Sequence, residues 1–118
     1  MSLKDKRCFP CPDGTPPLDR PTIALLLGDV IGWQLRGSGA PSSPAGPDKI
    51  AKSFKFADFL GTMAFVGKMA ALAEEQQHHP DFCVHYSEVE VTLWTHSVGG
   101  LSENDFIMAA KINDMING

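Results

Sequence analysis

The most regular alternation of apolar and polar side chains lies between Val89 and His96. Apolar residues or threonine occupy every second position from Val89 to Thr95, which predicts a β-strand with one buried face. The segment Phe82–Tyr86 alternates in the same way, and the sequence "SEV" between the two predicts a tight turn. We therefore expect these two segments to pair as an antiparallel hairpin.

A helical spacing of apolar residues precedes this hairpin. Asp58 is a good N-cap residue, and apolar side chains then recur at intervals of three and four up to the sequence "EEQQ". The helix is expected to end near His78, because Pro80 disfavours helical backbone at the residue before it. The predicted apolar stripe consists of Phe59, Met63, Val66, Ala70 and Ala73.

The first half of the chain predicts a helix and two strands. Pro21 can start a short helix that ends near Gly32, and Trp33–Arg36 is typical of a short strand. Lys49–Phe56 predicts a second strand. Gly37–Pro47, between the strands, is rich in glycine, proline and serine, and we expect it to be a long loop.

The segment after the hairpin predicts the last helix. Ser102 is a suitable N-cap, Asp105 stands three residues later as in a capping box, and the helix runs to about Asn117. The order α-β-β-α-β-β-α predicts a single α+β domain with a four-stranded antiparallel sheet and helices packed on one face. Residues 1–20 are rich in proline and predict an irregular N-terminal arm, with the domain spanning residues 21–118.

Composition and charge argue against some classes of function. The 118 residues carry a formal net charge of −4, and Lys and Arg are not clustered, so direct binding to nucleic acid is not expected. The most apolar segment, "TIALLLGDVIGW", is shorter than a membrane helix and contains Asp29, and the chain shows no secretory signal. We therefore expect no membrane association and a cytoplasmic protein with reduced thiols; a nuclear pool is compatible with this.

The three cysteines are weak signals. Cys8 and Cys11 form one CxxC pair, whereas a closed zinc site needs four ligands. Cys83 lies within a predicted strand and is expected to be a small packed residue rather than a nucleophile.

The histidines are the strongest candidates for chemistry. His78 and His79 adjoin the end of the predicted helix, and Glu74 precedes His78 by four residues, on the same helical face. If the last two strands pair, the start of one meets the end of the other, which places His96 near His79. Imidazole groups ordinarily titrate near ~6.5, so three of them in one pocket would suit proton transfer at neutral pH.

Other interpretations of the histidine pair remain open at this point. Adjacent histidines rarely reach one metal ion, and the chain contains no HExxH motif, so metal binding is not expected. Two histidines at a helix C-terminus could instead only complement the helix dipole. Because no serine or cysteine nucleophile accompanies them, proton addition and removal fit better than acyl transfer. An elimination of water is one such reaction.

The segment "EEQQHHPDFCVHYSEVEVTLWTHSVGGLSENDF" resembles the core of the pterin-4a-carbinolamine dehydratases. In that family an acidic residue precedes a His-His-Pro sequence, and an aromatic residue, a further histidine and an aspartate follow. The resemblance also includes the strand at Trp33 and the sequence "SFKFADF", and it spans roughly residues 22–117, without a counterpart for the arm. The matching residues are Glu74, His78, His79, Pro80, Tyr86, His96 and Asp105. Of the other side chains in this segment, Tyr86 is expected in the core, His85 at the surface, and Trp94 in packing or an interface, with the pocket wall as the alternative.

The resemblance implies a reaction and a site. Members dehydrate 4a-hydroxytetrahydrobiopterin to quinonoid dihydrobiopterin without a metal or bound cofactor, and this recycles the pterin used by aromatic amino-acid hydroxylases. It implies His78, His79 and His96 as catalytic residues, and a homo-oligomer, either a dimer or a tetramer. The implied pterin-binding residues are Glu74, His78, His79, Pro80, Thr95, His96, Ser97, Val98 and Asp105.

Two alternatives accompany this hypothesis. Animal members of the family also serve as dimerisation cofactors of a homeodomain transcription factor and use helix surfaces for that role. An inactive pterin-binding homologue is the other alternative, because Phe82 and Asn104 depart from residues common in the family; Gln77 is a further departure.

Overall fold

The computed structural model describes residues 2–36 and 47–117. The order of helices and strands is the predicted one, and the architecture is α+β. The predicted loop Gly37–Pro47 lies outside the described residues except for its last residue. The elements are α1 (Arg20–Leu27), β1 (Gln34–Arg36), β2 (Lys49–Lys55), α2 (Phe59–Gln76), β3 (Asp81–His85), β4 (Glu88–Leu93) and α3 (Glu103–Asn117), with 3₁₀ turns at Leu3–Asp5 and His96–Val98.

The four strands form one antiparallel sheet in the order β1-β2-β4-β3. The predicted hairpin is confirmed, since Asp81 at the start of β3 pairs with Thr92 near the end of β4. The alternation along β4 is confirmed as well. Val89, Val91 and Leu93 are fully buried on the face that the helices cover.

The helix α2 packs through a face that is rotated from the predicted one, and of the predicted stripe Ala73 is buried and Val66 partly buried. Asp58 caps it as expected, since its carboxylate accepts a hydrogen bond from Gly61 N–H at 2.7 Å. Phe59 and Met63, which were predicted to face the core, are instead exposed. Because apolar residues surround most of this helix, their spacing does not decide which face meets the sheet. The residues that are actually buried are Thr62, Phe65, Met69, Ala73 and Gln76.

Phe65 shows why this other face is preferred. Its ring lies 5.0 Å from the ring of Phe54 and 5.1 Å from that of Phe56, measured between centroids. Both partners belong to β2 or follow it directly, so three aromatic rings join the helix to the sheet. Aromatic pairs at such distances contribute roughly 0.5–1.5 kcal/mol beyond their burial.

The first helix differs from the prediction mainly in length. It begins at Arg20, one residue before Pro21, and ends at Leu27 rather than near Gly32. Asp19 is its N-cap and accepts a hydrogen bond from Thr22 N–H at 2.9 Å. None of the described helices combines the length and the apolarity that are needed to cross a membrane.

The start of α3 contains half of the predicted capping box. The Asp105 carboxylate accepts a hydrogen bond from Ser102 N–H at 2.9 Å, as a capping box requires. The Ser102 hydroxyl, however, contacts the hydroxyl of Thr95 at 2.7 Å. This links the helix start to the segment after β4, so that Asp105 is held between two parts of the chain.

Residues 2–19 pack against the rest of the molecule. Leu3 is buried within the core, and Lys4 and Lys6 contact acidic residues of α3. Leu18 N–H donates to the carbonyl of Leu101 at 2.9 Å. The division of the chain at residue 20 remains a prediction, but the arm itself contributes to the core.

Candidate active site

The end of α2 sets the directions of the histidine pair. Gln77 adopts the left-handed conformation (φ 54°, ψ 40°), which is uncommon for a residue other than glycine. Its N–H and that of His78 both donate to the carbonyl of Ala73, and this closes the helix. The change of direction sends His78 inward and leaves His79 at the surface.

His78 is paired with a buried carboxylate. Its Nε2 lies 2.6 Å from Oδ1 of Asp105, and only 11% of the His78 side chain is exposed. The second carboxylate oxygen of Asp105 accepts hydrogen bonds from the Thr95 hydroxyl, at 2.8 Å, and from Ser102 N–H. Asp105 is completely buried, and these donors offset the cost of burying its charge. By holding Asp105 in place, these donors also fix the position of the His78 ring.

His79 is paired with Glu74, which sequence spacing had placed beside His78 instead. Its Nε2 lies 2.6 Å from Oε2 of Glu74, and the two side chains are 57% and 72% exposed. The difference arises at Gln77, because its left-handed conformation interrupts the helical spacing on which the prediction relied. An exposed pair of this kind is screened by water and contributes little to stability.

His96 is held in a third way. It was predicted at the end of β4, but that strand ends at Leu93 and His96 begins a 3₁₀ turn. Its ring lies against the indole of Trp94, with 3.8 Å between centroids and 42° between planes. Lys49 Nζ lies 4.8 Å from the Trp94 centroid, and the Trp94 indole N–H donates to Asp81 at 3.3 Å. Within the described part of the chain, no carboxylate pairs with His96.

A cavity of about 390 Å³ brings the three histidines together. This size falls within the range of small-molecule sites. Glu74 and Asp105 do not line it but stand behind the histidines, and Val98 is buried within its 3₁₀ turn away from the lining. The lining residues are Gln77, His78, His79, Pro80, Asp81, Trp94, Thr95, His96 and Ser97.

The sequence prediction did not include three of these lining residues among the site residues. Trp94 was expected in packing or at an interface, with the pocket wall as the alternative, and the alternation of the predicted strand Val89–His96 puts it on the same face as His96. Asp81 could have been found from the same hairpin, because it adjoins the His-His-Pro sequence. Gln77 carries no such signal, since a left-handed backbone at a glutamine is not predictable from residue type.

Three other predictions concern residues near the hairpin. Tyr86, expected in the core, is 70% exposed and stacks on Phe59 with 6.4 Å between centroids. It occupies the turn between β3 and β4 with φ 53°, which takes its side chain out of the strand alternation. Cys83, expected to be packed, is exposed on β3 because that strand lies at the edge of the sheet. His85 is exposed, as predicted.

The other two thiols lie in the arm. Burial raises the pKa of the Cys8 thiol to about 11, so this thiol is protonated at neutral pH. Cys8 Sγ lies 3.7 Å from the carbonyl oxygen of Asn104, and the side-chain nitrogen of Asn104 lies 3.5 Å from Cys11 Sγ. Among the described residues, no group of three or more His, Cys, Asp or Glu side chains is placed to hold a metal ion.

Comparison with known proteins identifies the group to which this chain is similar. The family model described as pterin 4 alpha carbinolamine dehydratase matches residues 16–115. A relative from Rickettsia bellii, provisionally named a pterin-4-alpha-carbinolamine dehydratase, is 41% identical over 98% of this chain and 96% of its own. That alignment includes most of the arm, for which the resemblance offered no counterpart. A similarly named relative from Dechloromonas aromatica is 37% identical over 98% of this chain and 94% of its own.

Solved structures agree with the sequence relatives. A transcriptional coactivator/pterin dehydratase from Brucella melitensis superposes with a TM-score of 0.73, at 35% identity, over 84% of this chain and 97% of the other. A pterin dehydratase-like protein identified as a RuBisCO assembly factor in the alpha-carboxysome gives a TM-score of 0.58, at 26% identity, over 71% and 88%. By its sequence and its fold, this chain belongs to the pterin-4-alpha-carbinolamine dehydratase family.

Proposed function

We propose that this protein dehydrates 4a-hydroxytetrahydrobiopterin to quinonoid dihydrobiopterin and water, and so recycles tetrahydrobiopterin. The observation that carries the proposal is the convergence of His78, His79 and His96 on one cavity, two of them backed by carboxylates. Family membership supports a dehydration reaction of a pterin carbinolamine.

The reaction requires two proton transfers, which the three imidazoles can divide between them. One imidazolium protonates the hydroxyl at C4a, the C4a–O bond breaks, and water leaves. The lone pair of N5 forms the C4a=N5 double bond, and a neutral imidazole accepts the proton released from N5. Atoms and charge balance without any further reactant. General acid–base catalysis of this kind typically contributes 10²–10⁴-fold in rate.

His78 differs from the other two in what it can offer a substrate. Its Nε2 faces Asp105, which leaves Nδ1 as the ring nitrogen for proton exchange. A carboxylate behind an imidazole stabilises the imidazolium that forms when the ring accepts a proton. His79 also has a carboxylate behind it, but Glu74 is 72% exposed and screened by water, whereas Asp105 is buried, so the effect is larger at His78 and suits it to the proton-accepting role. His79 and His96, which are both exposed, suit the donation of a proton to the hydroxyl.

The proposal is tested by following the dehydration of freshly generated 4a-hydroxytetrahydrobiopterin by ultraviolet absorbance. We expect the purified protein to accelerate the spontaneous reaction, and we expect His79→Ala or His96→Ala to lower turnover by about 10²-fold or more. His85→Ala is the matched control, because His85 is an exposed histidine outside the cavity. A wild-type rate equal to the spontaneous rate would leave binding without catalysis as the better description.

A protein-binding role is the second candidate, and it rests on a separate observation. Phe59, Leu60 and Met63 on α2 and Phe82 on β3 are between 41% and 78% exposed, a large amount of apolar surface. We propose that this surface mediates self-association into a dimer or tetramer. Light scattering coupled to size exclusion tests it: Leu60→Lys should lower the mass, and a monomeric wild type would contradict the proposal.

A further inference from the structure

The N-terminal arm contacts the end of α2 and the start of α3, the two places from which His78 and Asp105 approach each other. The backbone of Cys8 and Phe9 runs between the last turn of α2 and the first turn of α3. Cys8 N–H donates to Oε1 of Gln76 at 2.9 Å. Phe9 N–H donates to Oδ1 of Asn104 at 3.0 Å, and Nδ2 of Asn104 donates back to the Phe9 carbonyl at 2.6 Å.

Both side chains that receive the arm are almost fully buried. Gln76 is 5% exposed and Asn104 is 3% exposed. A buried amide that loses its hydrogen-bond partner is left with an uncompensated loss of hydration, so each of these side chains favours the docked arm. Asn104 is engaged at both ends of its amide by one arm residue, a two-point contact that fixes position and direction together.

These contacts lie next to the pair in the chain. Gln76 precedes His78 by two residues, and Asn104 directly precedes Asp105. His78 and Asp105 belong to different elements, so their 2.6 Å contact depends on how the end of α2 meets the start of α3. The arm is bonded to both elements within one or two residues of the pair.

We propose that Gln76 and Asn104 are positioning residues, which clamp the backbone of Cys8 and Phe9 and thereby set the geometry between His78 and Asp105. The consequence for turnover rests on the proposed dehydratase function, whereas the consequence for the His78 ring does not. Cys8 is partly buried and packs against the core, in agreement with a packing role for the arm.

The experiment uses two substitutions at one arm position in the full-length chain. Phe9→Pro removes the N–H that Asn104 binds, whereas Phe9→Ala keeps that N–H and removes only a side chain that is 48% exposed. Asn104→Ala removes the clamp from the other side. Thermal unfolding of each variant establishes that the assays are run on folded protein.

Two measurements are made on each variant. The first is the nuclear magnetic resonance signal of the His78 ring N–H that faces Asp105. The second is kcat and KM for the carbinolamine. In Phe9→Pro and Asn104→Ala we expect the ring signal to weaken or shift and kcat to fall about tenfold with KM changed less than about threefold, because misplaced catalytic groups lower the rate more than binding. Phe9→Ala should match the wild type in both.

The outcomes separate the clamp from its alternatives. A wild-type ring signal in both Phe9→Pro and Asn104→Ala would overturn the proposal, as would an equal loss in Phe9→Ala. If the wild-type protein has no dehydratase activity, the proposed function fails, and the ring signal alone then decides whether the clamp exists. If Asn104→Ala does not fold, Phe9→Pro decides.

Discussion

His78 and His96 face the same cavity but are held by different kinds of interaction. His78 is buried and tied to a carboxylate that is itself bonded to Thr95 and Ser102. His96 is exposed and rests against the ring of Trp94, which contacts Asp81 within the cavity lining and Lys49 outside it. A hydrogen-bonded carboxylate fixes one ring nitrogen, whereas contact with the tilted Trp94 ring restricts the orientation of the imidazole and leaves both of its nitrogens available. The first arrangement suits a defined proton path, and the second suits a ring that must meet substrate.

The largest effect is expected on the His78 side. Asp105→Asn keeps the shape of the side chain but removes its charge. The amide nitrogen must also replace one of the two acceptor oxygens, either the one that faces His78 or the one that accepts from Thr95 and Ser102. We expect turnover to fall about 10²-fold and the free energy of unfolding to fall by about 2 kcal/mol, since hydrogen bonds to a buried charge are among the stronger ones. Urea unfolding and the absorbance assay measure the two losses. Loss of activity at unchanged stability would show that Asp105 does not hold the start of α3.

On the His96 side the two effects should separate. Trp94→Ala removes the ring that orients His96, and we expect turnover to fall about tenfold while stability changes by less than about 1 kcal/mol, because Trp94 is only partly buried. Trp94→Phe keeps an aromatic plane and loses only the N–H that Asp81 accepts, so it should recover most of the rate. If Trp94→Phe is as impaired as Trp94→Ala, the hydrogen bond to Asp81 rather than the ring contact positions His96.

The exposed pair of Glu74 and His79 should be the least sensitive of the three. Glu74→Gln keeps a hydrogen-bond acceptor at 72% exposure, so we expect less than a threefold change in turnover and about 0–1 kcal/mol in stability. Any effect should shrink further as salt is added, because ions screen exposed charges. A loss as large as that of Asp105→Asn would mean that the pair is desolvated in the working protein.

The smallest effect on stability is expected at Asp19, the N-cap of α1, which lies outside the cavity and whose contribution depends on pH. The hydrogen bonds from Thr22 lower the pKa of Asp19 below its ordinary value. The folded state therefore releases this proton more readily, so the stabilisation is present above the ordinary pKa of aspartate and is lost as pH falls through the lowered one. Asp19→Ala should lower the melting temperature slightly near neutral pH and less in acid. Asp19→Asn keeps the cap without the charge. The difference in melting temperature between Asp19→Asn and Asp19→Ala should therefore not depend on pH.

Local sequence patterns predicted the strands, the helix caps and the hairpin better than the contacts between distant parts of the chain. The burial along β4, the cap at Asp58 and the meeting of the histidine pair with His96 all follow from alternation, residue type and hairpin geometry. The packed face of α2 does not, because most of that helix is apolar and the aromatic partners of Phe65 come from β2. The docked arm does not either, since its bonds to Gln76 and Asn104 join residues far apart in sequence.

Because α2 ends at a left-handed residue, the number of residues in the helix sets the direction in which the chain leaves it. Each residue of an α-helix turns the chain by about 100°, and Gln77 stops that rotation at a fixed residue. Removing one residue from the exposed middle of the helix, such as Gly67, would leave a helix of ordinary length but rotate the exit by about that angle. His78 would then leave its carboxylate, so the number of residues in α2 is as much a part of the site as the histidines themselves.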